Sequence, residues 1–432
     1  MKKNLEVGVG ISRNWEPRKA AEQVVSSTLE KLDHDPKFFL LFSTIHFDKD
    51  KDGMQKFVQT AYDQLPKGVP LVGGSLAGFI NNYGCYTRGA TGFAMYHPNL
   101  DVVTGLGHNV KRNPKKASRE CEEEIRTKME KSNYKNRLLI NLISAGIIPE
   151  IPLFGQVNNT KSRIFGTFIT YFGMRLASYL GTGVGKEEDV IDEISALMPE
   201  YWILGGTCVD GFRYLSNYQF FGDKVYTNSV VALGCATNLP IFLDGRIGVH
   251  PTNRTFNITG TAYEDRIITK IENTPAKEYF FKNVLRLSEE QFKDLDAFYY
   301  KTSDYYPLGF DEIKDYTSGT GAILGNNLLL GYKAKGRKGR LLSVTGQEII
   351  NSVDNLLHNF DKRIFPFMFA FSSGIRLNIL GNKSFLIKEI LDKQLGETPY
   401  LVAYTTNSNI GFPNKPAVTG VYSINMMSLK TR

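Results

Sequence analysis

The sequence predicts a mixed α/β protein in which sheets are flanked by helices. Short apolar runs alternate with amphipathic helical patterns along most of the chain. Hydrophobic residues make up 42% and charged residues 22% of the 432 residues, which is typical of folded domains and unlike a disordered chain. The 40 glycines indicate many tight turns. A chain of this length fits two or three domains of ordinary size.

The first third of the chain carries one strand–helix–strand cycle. Val7–Ile11 and the apolar run Phe38–Ser43 read as strands, and the second of these is predicted to be covered on both faces. A helix capped by Asn14 and running to Leu32 separates them. A further helix then leads to the strand Val69–Val72.

Two further cycles follow the same pattern. The second is predicted at Leu138–Ser144 (strand), Lys186–Met198 (helix) and Trp202–Leu204 (strand). The last is predicted at 345–360 (helix, opened by a capping box), Phe367–Ser372 (strand), Asn382–Leu395 (helix) and Tyr400–Thr405 (strand). The segment Ile164–Leu180, rich in Gly, Phe and Tyr, is interpreted as a buried helix.

All three cycles end in similar turns of small residues, which predicts an internal repeat. The turns are Gly73–Phe79, Gly205–Phe212 and Thr405–Phe412. The region after residue 238 begins with a different, strand-rich pattern. We therefore predict two domains, 1–238 and 239–432, each of mixed sheet with flanking helices.

The Gly, Ser, Thr and Asn residues at these strand ends predict a site for a small polar or anionic ligand. Ligands of open α/β sheets bind beyond the carboxyl ends of the strands, and glycine lets backbone N–H groups approach them. The predicted ligand-binding residues are Gly73, Gly74, Ser75, Gly205, Gly206, Thr207, Asp210, Ser373, Arg376, Thr406 and Asn409. Ordinary tight turns are the competing interpretation.

Two of these residues are charged. Arg376 lies four residues past Ser372 and could form a bidentate pair with a ligand carboxylate, or a structural salt bridge to Asp210. Asp210 could receive an amino group or fix a hydroxyl, and the alternative is an Asx-turn cap before Gly211.

The pattern favours a binding protein over an enzyme, and no catalytic residue is predicted. Gly73–Ala77 resembles a nucleophile elbow only weakly, because no base and acid follow in the expected order. A hydrolase using Ser75 or Cys208 is kept as an alternative, although a buried, inert thiol is the commoner state of such a cysteine. The four cysteines form no C-x-x-C pair and no H-E-x-x-H occurs, so no metal site is predicted.

Charge and hydropathy predict a cytoplasmic protein without nucleic-acid or membrane partners. The formal net charge of +8 allows an anionic ligand but does not indicate nucleic acid. The basic cluster Lys333–Arg340 lacks interleaved aromatic residues and is interpreted as a solvated hairpin tip. The N-terminus has no apolar signal region. The charge-free run between Lys224 and Asp244 contains Thr, Asn, Ser and Pro, which is unlike a membrane span.

Taken together, these motifs resemble the FIST family, which has an N-terminal and a C-terminal FIST domain. The similarity extends over nearly the whole chain, and it implies these two domains over 1–238 and 239–432. The segments that carry the resemblance are Pro70–Gly78, Leu204–Asp210, Ile267–Tyr279, Phe371–Arg376 and the tail Phe367–Leu429.

The resemblance implies a sensory, ligand-binding module of signal transduction. Amino acids have been proposed as ligands of such proteins, and some members bind haem to sense nitric oxide. A haem-binding gas sensor with His108 or His250 as axial ligand is therefore an alternative, and no cofactor is predicted otherwise. Because the chain has no room for an output domain, we expect a stand-alone sensor that acts on a separate signalling protein.

Position by position, Gly205, Gly206, Asp210 and Arg376 match the family pattern. Three positions depart from it. Phe79 stands where the family has an acidic residue. The other two are Ser408-Asn409 in place of Gly-Glu and Pro416-Ala417 in place of His-Asn. All three departures bear on whether this protein binds the same ligand as other members of the family.

Overall fold

The residues that the structure describes form three sheets of six strands and one sheet of nine strands. The computed structural model describes residues 5–44, 47, 52–148, 150–151, 155–156, 159–293, 303–310 and 317–431. Within these ranges the chain is a mixed α/β structure, which confirms the predicted fold class. A small hairpin pairs Glu150–Ile151 with Gly155–Gln156.

The three six-stranded sheets have the same strand order. In space the first sheet runs Glu6–Ser12, Ala90–Tyr96, Phe38–Ser43, Leu71–Ser75, Gln219–Phe221 and Lys224–Tyr226. The second runs Leu100–His108, Ser229–Thr237, Asn136–Ser144, Tyr201–Cys208, Ser408–Gly411 and Val418–Gly420. The third runs Ile241–Ile247, Ser423–Leu429, Met368–Ser373, Tyr400–Thr405, Gly78–Asn81 and Gly84–Tyr86. In each sheet the third and fourth strands are parallel and the other neighbours are antiparallel.

Each sheet takes its last two strands from the hairpin that follows another sheet's parallel pair. The hairpin 78–86 leaves the first sheet and joins the third. The hairpin 219–226 leaves the second sheet and joins the first, and the hairpin 408–420 leaves the third and joins the second. This cyclic exchange ties the three sheets together beside the turns that precede the hairpins.

Two long helices cover each of these sheets. They are Pro17–Leu29 and Gly53–Asp63 in the first, Pro114–Met129 and Glu187–Leu197 in the second, and Gly346–Leu357 and Phe385–Leu395 in the third. The predicted cap at Asn14 is wrong, because the Glu16 carboxylate accepts the N–H groups of Arg18 and Lys19 at this helix start. The capping box of Thr345 and Glu348 is confirmed.

The inner faces of the three sheets share one apolar core. Phe42 of the first sheet meets Phe371 of the third edge to face, with ring centroids 6.1 Å apart. Leu142 and Leu204 of the second sheet belong to the same cluster. Burying each such side chain contributes about 1.5–3 kcal/mol, so this shared core holds the sheets together.

The nine-stranded sheet, here called the insertion sheet, is formed mostly by the chain between the strand Ile241–Ile247 and the helix Gly346–Leu357. One strand joins it from the chain between Asn136–Ser144 and Glu187–Leu197. Its strands are Asn159–Thr160, Thr320–Leu324, Asn327–Leu330, Ile267–Ile271, His250–Ala262, Lys338–Ser343, Leu308–Phe310, Thr317–Ser318 and Thr274–Pro275. The predicted solvated tip at 333–340 is wrong. Lys333 and Lys335 form ion pairs with Asp189 and Asp192 of the helix Glu187–Leu197.

A helical segment spans 163–179 and consists of Arg163–Phe168, a π-helical turn at Ile169–Gly173, and Met174–Tyr179. The prediction of a helix here is confirmed, but the prediction that it is buried is wrong, because most of its large apolar side chains are exposed. The other short helices within the described ranges are Ala276–Tyr279, Phe280–Val284, Glu289–Lys293, Ser303–Tyr305, Ile375–Leu380 and Gly381–Lys383.

The predicted division after residue 238 falls between the strands Ser229–Thr237 and Ile241–Ile247 and stays a prediction. Among the helices of the described ranges, none is both long and apolar enough to cross a membrane.

Candidate functional site

The three strand-end turns contact one another directly. Backbone N–H groups of each turn donate to carbonyl groups of a neighbouring one. The bonds run from Val209 to Ser75 (3.1 Å), from Ala77 to Tyr404 (2.8 Å) and from Thr406 to Thr207 (2.9 Å). Every bond joins two different sheets, so the parallel strand ends meet at one place, here called the strand-end junction.

Most of the predicted ligand-binding residues lie at this junction and are buried. The Ser75 hydroxyl accepts the N–H of Tyr218 at 3.0 Å, and the Ser373 hydroxyl donates to the carbonyl of Thr406 at 2.8 Å. Gly205 is paired with Asn409 across the hairpin that joins the second sheet. Backbone register therefore brings together residues that are far apart in sequence.

The glycines of the turns allow the sheets to approach closely. A Cβ atom on Gly74 would lie against the sulfur of Cys208 and 2.8 Å from the carbonyl oxygen of Tyr218. On Gly206 it would lie 2.7 Å from the Thr405 side chain. Real Cβ contacts are longer than this, so packing between sheets explains these glycines without reference to a ligand.

Several buried polar atoms without hydrogen-bond partners lie at the ends of strands in the second and third sheets. Five such side-chain atoms belong to four residues, and none finds a hydrogen-bond partner among the described residues. They are Oγ1 of Thr207, Oγ of Ser372, Oγ1 of Thr406, and both Oδ1 and Nδ2 of Asn407. Leaving a buried polar atom unpaired costs about 1–3 kcal/mol, so such a group calls for a water or a ligand.

A buried lysine lies beside these strand ends. Lys111 is wholly inaccessible to solvent, and its Nζ donates to the hydroxyl of Ser144 at 2.9 Å. That hydroxyl donates in turn to Oδ1 of Asn217 at 2.8 Å, and Gln219 Nε2 donates to the same oxygen at 3.1 Å. Burial lowers the pKa of the Lys111 ammonium from 10.5 to about 8.

Glu187 is the carboxylate that acts electrostatically on Lys111. Burial raises the pKa of Glu187 to about 8, with a further rise from the neighbouring Glu188. Its Oε2 has no hydrogen-bond partner within the described part of the chain. Burial therefore disfavours the charged form of both residues, lowering the pKa of Lys111 and raising that of Glu187.

Asp210 and Arg376, the two charged residues predicted to bind ligand, make hydrogen bonds within the protein. Asp210 accepts the N–H groups of Tyr214, Leu215 and Ser216 at 2.8, 2.7 and 2.9 Å, in the manner of an extended Asx turn. This bonding stabilises a loop in which Phe212 and Tyr214 have positive φ angles of 66° and 55°.

The Arg376 guanidinium is also buried. It donates to the carbonyl oxygens of Tyr422 and Ile349, each at 3.0 Å, and to the Ser352 hydroxyl at 2.8 Å. Burial lowers its pKa to about 10. These contacts join Arg376 to the helix Gly346–Leu357 and to the backbone just before the strand Ser423–Leu429.

The structure also places Cys208 of the hydrolase alternative and the two histidines of the haem alternative. Burial raises the pKa of the Cys208 thiol to about 12, so almost no thiolate forms near neutral pH. His108 is exposed on its strand, with its ring 5.5 Å from that of Tyr226. His250 is exposed as well, with Nδ1 3.9 Å from a carboxylate oxygen of Glu348. Across the described ranges, no cluster of three or more His, Cys, Asp or Glu side chains could hold a metal ion.

The sequence reasoning missed Lys111, Glu187, Asn217, Ser372 and Asn407. Ser372 and Asn407 directly adjoin predicted residues, so the strand-end pattern could have included them. Lysine and glutamate are usually exposed, and Lys111 and Glu187 stand at a loop and at a helix start. Only the packing shows that both are buried.

Comparison with solved structures finds distant likenesses of low similarity. The crystal structure of cyanuric acid hydrolase from A. caulinodans has 8% identity and a TM-score of 0.34, covering 98% of this chain and 99% of that one. A second cyanuric acid hydrolase structure has 10% identity and a TM-score of 0.31, covering 98% and 99%. A chorismatase has 7% identity and a TM-score of 0.31, covering 92% and 94%. At these values the likeness says nothing about activity.

Among curated proteins, no match to the sequence is found. The family comparison is decisive, because the FIST N domain matches residues 37–274, which is more than half of the 432 residues. The chain therefore belongs to the FIST family.

Proposed function

We propose that this protein is a sensor that binds a small polar ligand carrying an anionic group at the strand-end junction. The FIST domain is a sensory domain of signal transduction. The observation that carries the proposal is the group of five buried polar atoms without partners on Thr207, Ser372, Thr406 and Asn407. A polar ligand that supplies these hydrogen bonds would remove their desolvation cost, and this gain would favour binding.

The charge of the ligand follows from Lys111. This ammonium is buried, and one hydrogen bond to Ser144 occupies one of its three donors. A buried ammonium favours an anionic group beside it, because an opposite charge offsets the cost of burial. A carboxylate or a small phosphate meets this requirement.

An amino-acid-like ligand fits both titratable residues. Its carboxylate would pair with Lys111, and its amino group would pair with the oxygen of Glu187 that lacks a partner in the described structure. This assignment replaces the role first expected for Arg376 and Asp210, whose hydrogen bonds are made within the protein. The site residues proposed are Lys111, Ser144, Glu187 and Asn217 together with the strand-end residues.

Access to the site would involve the loop that follows Asp210. Three hydrogen bonds to one carboxylate hold this loop, and two of its non-glycine residues have positive φ angles. Such strained segments open more readily than sheet strands. The ligand signal would then pass to a separate signalling protein in the cytoplasm.

Thermal-shift screening tests the proposal. The panel comprises amino acids, dicarboxylic acids, inorganic phosphate and nucleotides, with aliphatic amines as cationic controls. We expect at least one anionic compound to raise the melting temperature of the wild type, because a ligand at 100 times its Kd adds about 2.7 kcal/mol.

Two variants decide where that compound binds. Lys111→Met and Thr406→Val should abolish the shift, whereas Lys116→Met, at an exposed position of the helix Pro114–Met129, should keep it. An unaltered shift in both site variants would overturn the site, and a shift produced only by amines would overturn the charge assignment.

A further inference from the structure

The helical segment 163–179 turns its apolar side to solvent. Ile164, Phe168, Phe172, Leu176 and Leu180 follow one another at steps of four residues and are 85%, 54%, 67%, 59% and 66% exposed. Single exposed apolar residues are common on proteins, but a continuous strip of large ones marks an interaction surface. These five residues are here called the apolar helix face.

The opposite side of the segment packs on the insertion sheet through Met174 and several small or polar residues. Thr170 Oγ1 accepts a hydrogen bond from Asn327 Nδ2 at 3.0 Å, and the Ser178 hydroxyl is bonded to that of Tyr263. A Cβ atom on Gly166 would lie 2.5 Å from the backbone nitrogen of Gly325, so no larger residue fits there. These contacts set the rotation of the helix about its axis, so the apolar helix face lies on the solvent side.

The π-helical turn at Ile169–Gly173 keeps the apolar helix face on one side of the segment and the packed residues on the other. A step of four residues overshoots one α-helical turn of 3.6 residues, so a strip with this spacing drifts around an ordinary helix. The wider turn offsets the drift in the middle of the segment. The local irregularity therefore preserves the exposure of the apolar helix face along its whole length.

The charged residues of the segment itself have one sign. From Asn159 to Lys186 the sequence contains no acidic residue, and Arg163 and Arg175 are both exposed. The guanidinium of Arg112, also exposed, lies 4.1 Å from the centre of the Tyr179 ring at the end of the segment. Arginines beside an apolar face indicate a partner with an apolar interior and an anionic surface.

We propose that the apolar helix face docks in the plane of an anionic lipid bilayer. Helices that lie in a membrane interface combine an apolar face rich in aromatic and aliphatic residues with flanking basic residues. A second copy of the chain fits less well. Symmetric pairing through this face would bring Arg163 and Arg175 of both copies to one interface, and residues 159–186 supply no acidic residue to offset them.

Vesicle flotation of the full chain tests the proposal. The vesicles contain phosphatidylcholine alone or phosphatidylcholine with phosphatidylglycerol, and we expect flotation with the second kind that weakens at high salt. Phe168→Ser with Phe172→Ser should lower the partition coefficient more than tenfold. Reversing two charges, with Arg163→Glu and Arg175→Glu, should lower it by at least about 30-fold.

Phe385→Ser is the matched control, because Phe385 is 50% exposed on the helix Phe385–Leu395 of the third sheet. It should leave flotation unchanged. Because all the substituted side chains are exposed, melting temperatures should stay within a few degrees of the wild type and show that each variant is folded.

Three outcomes would overturn the proposal. They are no flotation of the wild type with anionic vesicles, equal flotation of the Phe168/Phe172 variant, and a lipid-free dimer in sedimentation that this variant abolishes. The last outcome would assign the face to a second copy of the chain.

Discussion

The Lys111 ammonium lies 2.9 Å from the hydroxyl of Ser144, and both side chains are excluded from solvent. Ser144 ends the strand that runs parallel to Tyr201–Cys208, so a loop lysine reaches the carboxyl end of the central strand pair of the second sheet. A buried ammonium hydrogen-bonded to a neutral hydroxyl is costly, and proteins keep such groups where function requires them.

Removing this charge should stabilise the ligand-free protein. We expect Lys111→Met to raise the free energy of unfolding at pH 7 by about 1–3 kcal/mol, because methionine has no buried charge to desolvate. The folded-state pKa of about 8 lies below the ordinary 10.5, so the unfolded chain holds this proton more tightly. Wild-type stability should therefore rise between about pH 8 and 10.5, and the variant should lack that part of the rise.

Denaturant titrations of the wild type and Lys111→Met across this pH range measure both effects. The variant Lys116→Met serves as the control, since Lys116 is exposed. A loss of stability in Lys111→Met would mean that the lysine has a structural role.

Glu187 should give stability an opposite dependence on pH. Its pKa is raised from 4.5 to about 8 in the folded protein, so the folded chain binds more protons than the unfolded chain between these values. Wild-type stability should fall as pH rises from 4.5 to 8, and Glu187→Gln should flatten this fall. Urea unfolding at pH 5, 6, 7 and 8 checks the prediction, and identical slopes for both proteins would contradict it.

The close contact between the first and second sheets depends on Gly74. Gly74→Ala should lower the free energy of unfolding by about 1–3 kcal/mol, because the new methyl group would overlap the Cys208 sulfur and approach the Tyr218 carbonyl. Gly319→Ala is the control, since a Cβ atom there meets no heavy atom within 4 Å. Chemical denaturation measures both variants, and equal effects would show that the junction is not closely packed.

The insertion sheet is joined to the second sheet through Arg266. This guanidinium is fully buried and forms ion pairs with Glu188 and with Asp189, the second at 2.6 Å. Arg266→Met should cost about 3–5 kcal/mol, because it leaves two carboxylates without their main cation.

The matched control is Arg363→Met, because Arg363 is 83% exposed and pairs with the nearby Asp361. Its expected cost is below about 1 kcal/mol. If calorimetry showed similar losses in the two variants, the buried charge cluster would have no special role in joining the sheets.

Local patterns predicted the strands and helices of each cycle, since apolar runs such as Phe38–Ser43 and the capping box at Thr345 depend on neighbouring residues. The exchange of hairpins was not predictable, because register such as Gly205 opposite Asn409 depends on residues about two hundred positions apart. The burial of Lys111 and the exposure of Phe172 also ran against residue preference. Lys111 belongs to the proposed ligand site, and Phe172 belongs to the face proposed to dock on a membrane.

The strand-end junction itself was predictable only in part. The turns at Ser75, Thr207 and Thr406 were found from their small residues, and the structure brings them together. The expected roles of Asp210 and Arg376 could not be judged from sequence, because each satisfies its charge with local backbone groups.

Native mass spectrometry of freshly purified wild type and Lys111→Met, recorded side by side, shows whether the strand-end junction holds a ligand. We expect a small molecule carrying an anionic group to be retained by the wild type and absent from the variant. The same bound mass in both proteins, or a bare wild-type chain that also shows no thermal shift with any compound of the panel, would contradict it.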